Sequence, residues 1–335
     1  MVQGMTRVRP GMRILIALAG ACTALAVTEL IVTDIVGYPH HIVPRTIHLD
    51  DELGRLSDLT WEAPRSRVWN VEGGGIVHEY NNLGLSGCDV RTGDSSRYVF
   101  VLGDSYVEAQ QVHAGEEATS VFQRLLDSAR AGMQVINLGL RHSDPYASWY
   151  RMKFFERQFA PSCVILVMEQ FYANWLNGYA QPLSFHLTPS FGTAVERSAF
   201  HDVVATLRMH SSLCNMLVEG YYTHEFAGFP ANPPPRMTDE PVADRDSLTD
   251  ALRSCLRQYH DELGSRFLVV SIAREPARDS LLTAFCRELG VACETDIAIA
   301  SPSEHIAGKG HLNLQGNNHL GRFLYAAFAR HFPAR

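Results

Sequence analysis

From Tyr98 onward, short runs of consecutive apolar residues alternate with longer stretches in which apolar positions recur every three or four residues. Tyr98-Val-Phe-Val-Leu102, Met133-Gln-Val-Ile-Asn-Leu138, Val164-Ile-Leu-Val-Met168 and Arg266-Phe-Leu-Val-Val-Ser-Ile272 are runs of the first kind. Apolar runs of this length, rich in β-branched and aromatic residues, predict strands buried on both faces. Between them, 118–129 sets Val121, Phe122, Leu125 and Leu126 on one stripe, the spacing of an amphipathic helix. Further helices are expected over 146–158, 247–263 and 277–289 and after Gly316 to about His331, with a short strand near 291–294. Strand followed by helix, repeated, predicts an α/β domain: a parallel sheet covered on both faces.

Two stretches break this rhythm. Residues 38–95 mix Gly, Pro, charge and short apolar pieces, including Val71-Glu-Gly-Gly-Gly75, with no sustained period. They are expected to form an irregular lead-in packed on the domain edge. Residues from about 178 to 245 carry Pro182, Pro189 and Gly192, a helical stretch near 199–219 and the cluster Pro230-Ala-Asn-Pro-Pro-Pro235. This is expected to be an insertion of helix and loop in a 96–335 domain.

The N-terminus differs again. Arg7, Arg9 and Arg13 precede an apolar run from Ile14 to Val27, interrupted afterwards by Glu29 and Asp34. The uninterrupted core is about 15 residues, roughly 22 Å of helix, short of the roughly 20 residues that an unaided span prefers. A basic flank before an apolar run predicts a signal peptide or signal-anchor over 1–37, cleaved near Ala24-Leu-Ala26 or retained. Positive charge stays cytoplasmic, so the remainder is expected to be exported, membrane-anchored or secreted according to cleavage.

Composition narrows the partners. Against 29 Lys and Arg stand 36 Asp and Glu, and no basic block follows the first thirteen residues, so nucleic acid is not expected as a partner. Seven cysteines show no metal spacing. Cys286 and Cys293 bracket a helix-to-strand turn, where a disulfide or two free thiols would fit.

The candidate chemistry begins at Gly103-Asp104-Ser105, where the first buried strand ends. In a parallel sheet ligands sit at the carboxyl ends of the strands, and a serine on that turn presents its hydroxyl there. The tripeptide alone is also an ordinary turn and helix cap. A serine needs a base to act as a nucleophile near neutral pH. His311 stands near the other end of the chain, in Gly308-Lys-Gly-His-Leu-Asn-Leu-Gln-Gly316, just before the last helix.

These blocks together resemble the SGNH/GDSL hydrolases, from about Asn81 to the C-terminus. Asn82-Leu-Gly-Leu and Val99-Phe-Val-Leu-Gly-Asp-Ser-Tyr106 look like the entry segment and nucleophile block. Val135-Ile-Asn-Leu-Gly139 resembles the second block, 161–177 the third, and Gly310-His-Leu-Asn-x-x-Gly316 the histidine block. The resemblance implies a flavodoxin-like three-layer α/β sandwich, with Ser105 as nucleophile and His311 as base. It also implies an oxyanion hole from the N–H groups of Ser105 and His142 with the side chain of Asn174. The chain departs from the family at His142, where a glycine is usual, and at Lys309 and Gly308, where the acid orienting the histidine normally lies. Glu304 or Asp296 is therefore expected to reach His311, or a backbone carbonyl to hold it. Glu169 and the aromatic cluster from Phe171 to Phe185 follow the third strand, as a strand-end acid and as packing or a contact for substrate.

By resemblance, the expected activity is that of a serine esterase or O-acyl transferase acting on acyl esters of envelope glycans or lipids, requiring neither cofactor nor metal. Its rivals are a non-catalytic binding module of the same fold and an anchored scaffold working through the 178–245 insertion.

Overall fold

The computed structural model describes residues 10–36, 45–50, 56–61, 64–70, 72, 74–93, 97–141, 143, 145–168, 203, 207–208, 210–218, 245–272, 276–295, 297, 302–306 and 310–333. The chain divides into two compact units, Met1–His41 with Glu196–Pro230, and Ile42–Val195 with Ala231–Arg335.

In the first unit, helix α1 (Pro10–Leu30) continues through a π-helical turn, Ile31–Ile35. The apolar part, Ile14–Ile35, is 22 residues long and exposed along most of its length, with Val32 buried. At 1.5 Å per residue it spans about 33 Å, enough to cross a membrane. The expected interruption at Glu29 and Asp34 therefore does not end the helix. The Glu29 carboxylate accepts from Thr33 Oγ1 at 3.2 Å, Ser211 Oγ at 2.7 Å, Ser212 N at 2.6 Å and Leu213 N at 3.0 Å. It thereby caps the helical residues 212–218 that follow Ser211. Of the predicted insertion, only residues in 203–218 and Arg245 onward are described.

The second unit is built on five parallel strands: β5 (Arg97–Gly103), β6 (Met133–Gly139), β7 (Pro161–Met168), β8 (Phe267–Ser271) and β9 (Ala292–Glu294), in the order β6-β5-β7-β8-β9. Each lies where the apolar runs predict it. Because successive side chains point to opposite faces, one strand feeds two cores. Phe100 and Leu102 pack with Ile136, Val164 and Leu166 against helices α4 (Pro145–Glu156), α5 (Arg245–Leu263) and α6 (Pro276–Leu289). Val99 and Val101 pack with Ile165, Leu268 and Val270 against α3 (Ala118–Ser128) and α7 (Leu314–His331). All of these strand residues are buried, and each is worth about 1.5–3 kcal/mol in burial. The result is the expected three-layer α/β sandwich with a central parallel sheet.

Strand β5 pairs with β6 on one side and β7 on the other, so the chain reverses its direction of winding beside β5. The crevice at such a reversal, outside the carboxyl ends of the strands, is where open α/β sheets bind ligands. Gly103 ends β5 at that edge.

The lead-in is more regular than its sequence suggests. It contains two antiparallel hairpins, β1 (Arg45–Asp50) with β2 (Leu56–Trp61), and β3 (Arg67–Asn70) with β4 (Ile76–Glu79). The four-residue strands of the second are too short to display a period of two. Beyond β4, Asn81 and Asn82 bind the backbone of Leu83, Leu85, Cys88 and Val90, which fixes the entry segment. The buried His78 ring lies 2.9 Å from the Val112 carbonyl and 3.1 Å from Ser86 Oγ.

Candidate active site

Ser105 opens a single helical turn, α2 (Ser105–Glu108). Asp104 caps it, its carboxylate accepting from Tyr106 N at 2.9 Å, while the Asp104 carbonyl accepts from Val107 N and Glu108 N. As first residue of the turn, Ser105 has no intrahelical acceptor for its own N–H. That donor stands beside its hydroxyl.

The approach of α2 to the sheet requires a glycine on β6. A Cβ at Gly139 would lie 2.4 Å from Glu108 N and 2.7 Å from the Val107 carbonyl carbon. Asn137, two residues earlier, donates to the Val107 carbonyl at 2.7 Å and accepts from Gly139 N at 2.9 Å. The Val135-Ile-Asn-Leu-Gly139 block thus serves to seat the Ser105 turn.

His311 arrives from a closed loop. His305 and Leu312 bridge as antiparallel partners, Ile306 N donates to the His311 carbonyl and Asn313 N to the Glu304 carbonyl. Asn313 then caps α7, accepting from Gly316 N at 3.1 Å. The helix therefore begins at Leu314, three residues before the start expected after Gly316. Tyr106, next to Ser105, donates its hydroxyl to the Gly310 carbonyl at 2.6 Å, and its ring lies 5.5 Å from that of His311.

These two frameworks meet at Ser105 Oγ, 2.8 Å from His311 Nε2. That is hydrogen-bond distance for a hydroxyl donating to the ring, with the other hydrogen of a neutral imidazole then on Nδ1. A serine so paired can deliver its proton to the histidine as it attacks a carbonyl carbon.

The other face of His311 departs from expectation. Its Nδ1 lies 2.7 Å from Glu72 Oε2, a carboxylate from the β3–β4 turn. The oxygen is at ion-pair distance but off the N–H axis, so the contact is bent, a geometry that catalytic hydrogen bonds often show before substrate is bound. Glu304 is not the partner: its carboxylate lies 2.7 Å from His319 Nδ1, turned away along α7. Asp296, His142 and Asn174 lie outside the described residues, as do Glu169 and the aromatic residues 171–185.

The neighbours of His142 are nevertheless fixed to the Ser105 turn and the strand end before it. Leu140 N donates to the Gly103 carbonyl at 3.1 Å and Arg141 N to Glu108 Oε2 at 2.8 Å. Glu108, buried, also accepts from the Tyr80 hydroxyl at 3.2 Å and Gln110 Nε2 at 2.8 Å. Among the described residues, no cluster of His, Cys, Asp and Glu has the form of a metal site.

No protein-family model matches the chain, and no curated protein matches it. Solved structures with a similar course of the chain include that of TesA, 11% identical, with a TM-score of 0.43 over 70% of this chain and 100% of that one. A psychrotrophic esterase, EstA from Pseudoalteromonas sp., is 11% identical with a TM-score of 0.41 over 70% of this chain and 97% of that one. A lipase/acylhydrolase from Enterococcus faecalis is 10% identical with a TM-score of 0.39 over 71% of this chain and 98% of that one. The case for a function rests on the residues around Ser105.

Proposed function

We propose that this chain is a serine acyl-ester enzyme, an esterase or O-acyl transferase, with Ser105 as nucleophile and His311 as general base. The observation that carries the reading is the 2.8 Å contact between Ser105 Oγ and His311 Nε2, at the sheet edge where the winding reverses. Ser105 Oγ attacks the ester carbonyl while its proton passes to Nε2; the C–O bond to the leaving alcohol then breaks, and that alkoxide takes the proton back. Water, or a second alcohol, attacks the acyl-enzyme in the reverse sense, giving hydrolysis or transfer. The Ser105 N–H, and by resemblance the His142 N–H and Asn174, would hold the oxyanion.

The apolar helix Ile14–Ile35 makes a membrane the natural location, as an anchor or, if cleaved, as an export signal. With the α/β unit exported, the substrates would be acyl esters of envelope glycans or lipids. The paired geometry of Ser105 and His311 favours catalysis over a binding-only module, which would have no need to keep a hydroxyl on a ring nitrogen.

The test is hydrolysis of a short-chain aryl acetate by the full chain in detergent, with fluorophosphonate labelling read by mass spectrometry. Ser105→Ala and His311→Ala should each lower turnover by about 10³-fold or more, and the label should fall on Ser105. A folded protein that neither turns over the ester nor takes the label would sink the reading.

A further inference from the structure

The family resemblance places an orienting acid two or three residues before the histidine, and this chain has Gly308 and Lys309 there. Glu304 is occupied by His319. The carboxylate that does meet the ring belongs to the lead-in, at the opposite end of the chain. We infer that Glu72, carried on the tip of the β3–β4 hairpin, is the positioning acid of the site: its contact with Nδ1 holds His311 in the tautomer and orientation that accept the Ser105 proton. This rests on the acyl-ester reading and adds to it a residue from a segment otherwise resembling a linker.

Three features make the contact a built one. First, the hairpin is closed in a way that only glycine permits at one position. Gly75 N donates to the Asn70 carbonyl at 3.1 Å, and Gly75 has φ +82, with any Cβ there 2.8 Å from Trp69 Cζ2. The left-handed backbone and the close indole both exclude a side chain. The turn that presents Glu72 is therefore defined by its own sequence.

Second, the return strand is secured to the segment that carries the nucleophile. His78, on β4, is buried against the Val112 carbonyl and Ser86. Tyr80, just beyond β4, donates to Glu108 on α2. The Glu108 carboxylate in turn holds Arg141 N. A single polar network thus joins the hairpin, the Ser105 turn and the loop after β6, so the acid and the nucleophile are referenced to the same framework.

Third, Glu72 and His311 are both mostly shielded, with side-chain exposures of 24% and 27%. A carboxylate there favours the imidazolium formed as Ser105 attacks, as the acid of a serine triad does. Loss of such an acid, with the rest of the site intact, costs up to roughly 10⁴-fold in rate.

The proposal is tested on the full chain in detergent by two readouts. The rate constant for fluorophosphonate labelling of Ser105 is measured across pH, and the downfield proton resonance of the imidazole Nδ1–H is followed by NMR. Glu72→Gln, with an unchanged thermal midpoint, should label about 10²–10⁴-fold more slowly. The acid limb of its profile should move to lower pH, because removing a neighbouring anion disfavours the imidazolium, and the downfield resonance should vanish. Glu72→Asp, shorter by one methylene, should recover part of the rate. Gly75→Val, which displaces the tip while keeping the carboxylate, should reproduce the loss.

A Glu72→Gln protein that labels at the parental rate with an unshifted profile, or that keeps the downfield resonance, overturns the proposal. Failure of the parental protein to label at Ser105 overturns the acyl-ester reading instead. The resonance, present in the parent and absent in Glu72→Gln or unchanged between them, then decides Glu72 by itself.

Discussion

Tyr106 and Gly310 join the two halves of the candidate site: the tyrosine next to Ser105 donates its hydroxyl to the carbonyl next to His311, at 2.6 Å. The same carbonyl lies 2.7 Å from His305 Nδ1, so the loop that carries His311 is held from both sides. Tyr106 is buried, and its ring also flanks that of His311. Tyr106→Phe keeps the ring and removes the donor. We expect a stability loss of about 1 kcal/mol, the net worth of one buried hydrogen bond. Turnover should fall about tenfold, since a small error in the histidine's placement is felt in the attacking geometry. Ester kinetics with thermal denaturation checks both, and a parental turnover would show that His305 alone suffices to hold the loop.

A second expectation concerns Gly139. An alanine there would place its Cβ 2.4 Å from Glu108 N, and backbone on a capped turn cannot yield as the tip of a flexible side chain can. Either β6 moves out or α2 lifts, and the second displaces Ser105. Overpacking of this kind costs about 1–3 kcal/mol. Gly139→Ala should therefore lower the chemical denaturation midpoint and suppress Ser105 labelling together. Labelling retained at the parental rate would mean that the strand, not the Ser105 turn, absorbs the strain.

The parts of this arrangement differ in how far the sequence displays them. Val99 to Leu102 and Val164 to Met168 are unbroken apolar runs because the sheet is covered on both faces, and that alone places the strands. Ser105 and His311 are visible because each sits at a recognisable junction, the end of the first strand and the start of the last helix. Glu72 is not visible in this way. Its hairpin has strands of four residues, its turn is a lone carboxylate before three glycines, and its contact with His311 exists only after the hairpin docks through His78 and Tyr80. Proximity along the chain pointed to Glu304, whose carboxylate serves His319 instead. The Val71-Glu-Gly-Gly-Gly75 turn offered one usable signal: glycines that fix a tight turn beside a single acid.

Cys286 and Cys293 connect α6 to β9 with both thiols free. A hydrogen bond with Cys293, followed by burial, pushes the Cys286 thiol well above its ordinary value. At neutral pH that thiol is protonated, and because the thiolate is the reactive form its oxidation should be slow and should quicken as pH rises. Export would bring the pair into an oxidising compartment. There we expect a disulfide, which by chain entropy over so short a loop stabilises the fold by about 2.5 kcal/mol. Peptide mapping without reductant, on protein recovered from the envelope, identifies the bond; free thiols at both positions would argue against an oxidising location or against a bridge.

Glu29 gives the last prediction. A carboxylate inside an apolar helix long enough to cross a membrane needs partners, and this one takes four donors, three of them from Ser211, Ser212 and Leu213. Ser211 is the turning residue, because its hydroxyl donates to Glu29 while accepting from Cys214 N at 2.9 Å. In Glu29→Ala the N–H groups of Ser212 and Leu213 lose their acceptor, and Ser212 is buried. The capping loss should cost about 1–2 kcal/mol, and helical residues 212–218 should fray first. Cys214, partly buried in this segment, reports on that locally. Its maleimide modification in detergent, read by mass spectrometry, should accelerate several-fold in Glu29→Ala, while that of Cys88, partly buried in the α/β unit, should not change. Equal acceleration at both cysteines would mean a general loss of stability, and no acceleration at Cys214 would mean that the Glu29 cap contributes little to holding the segment.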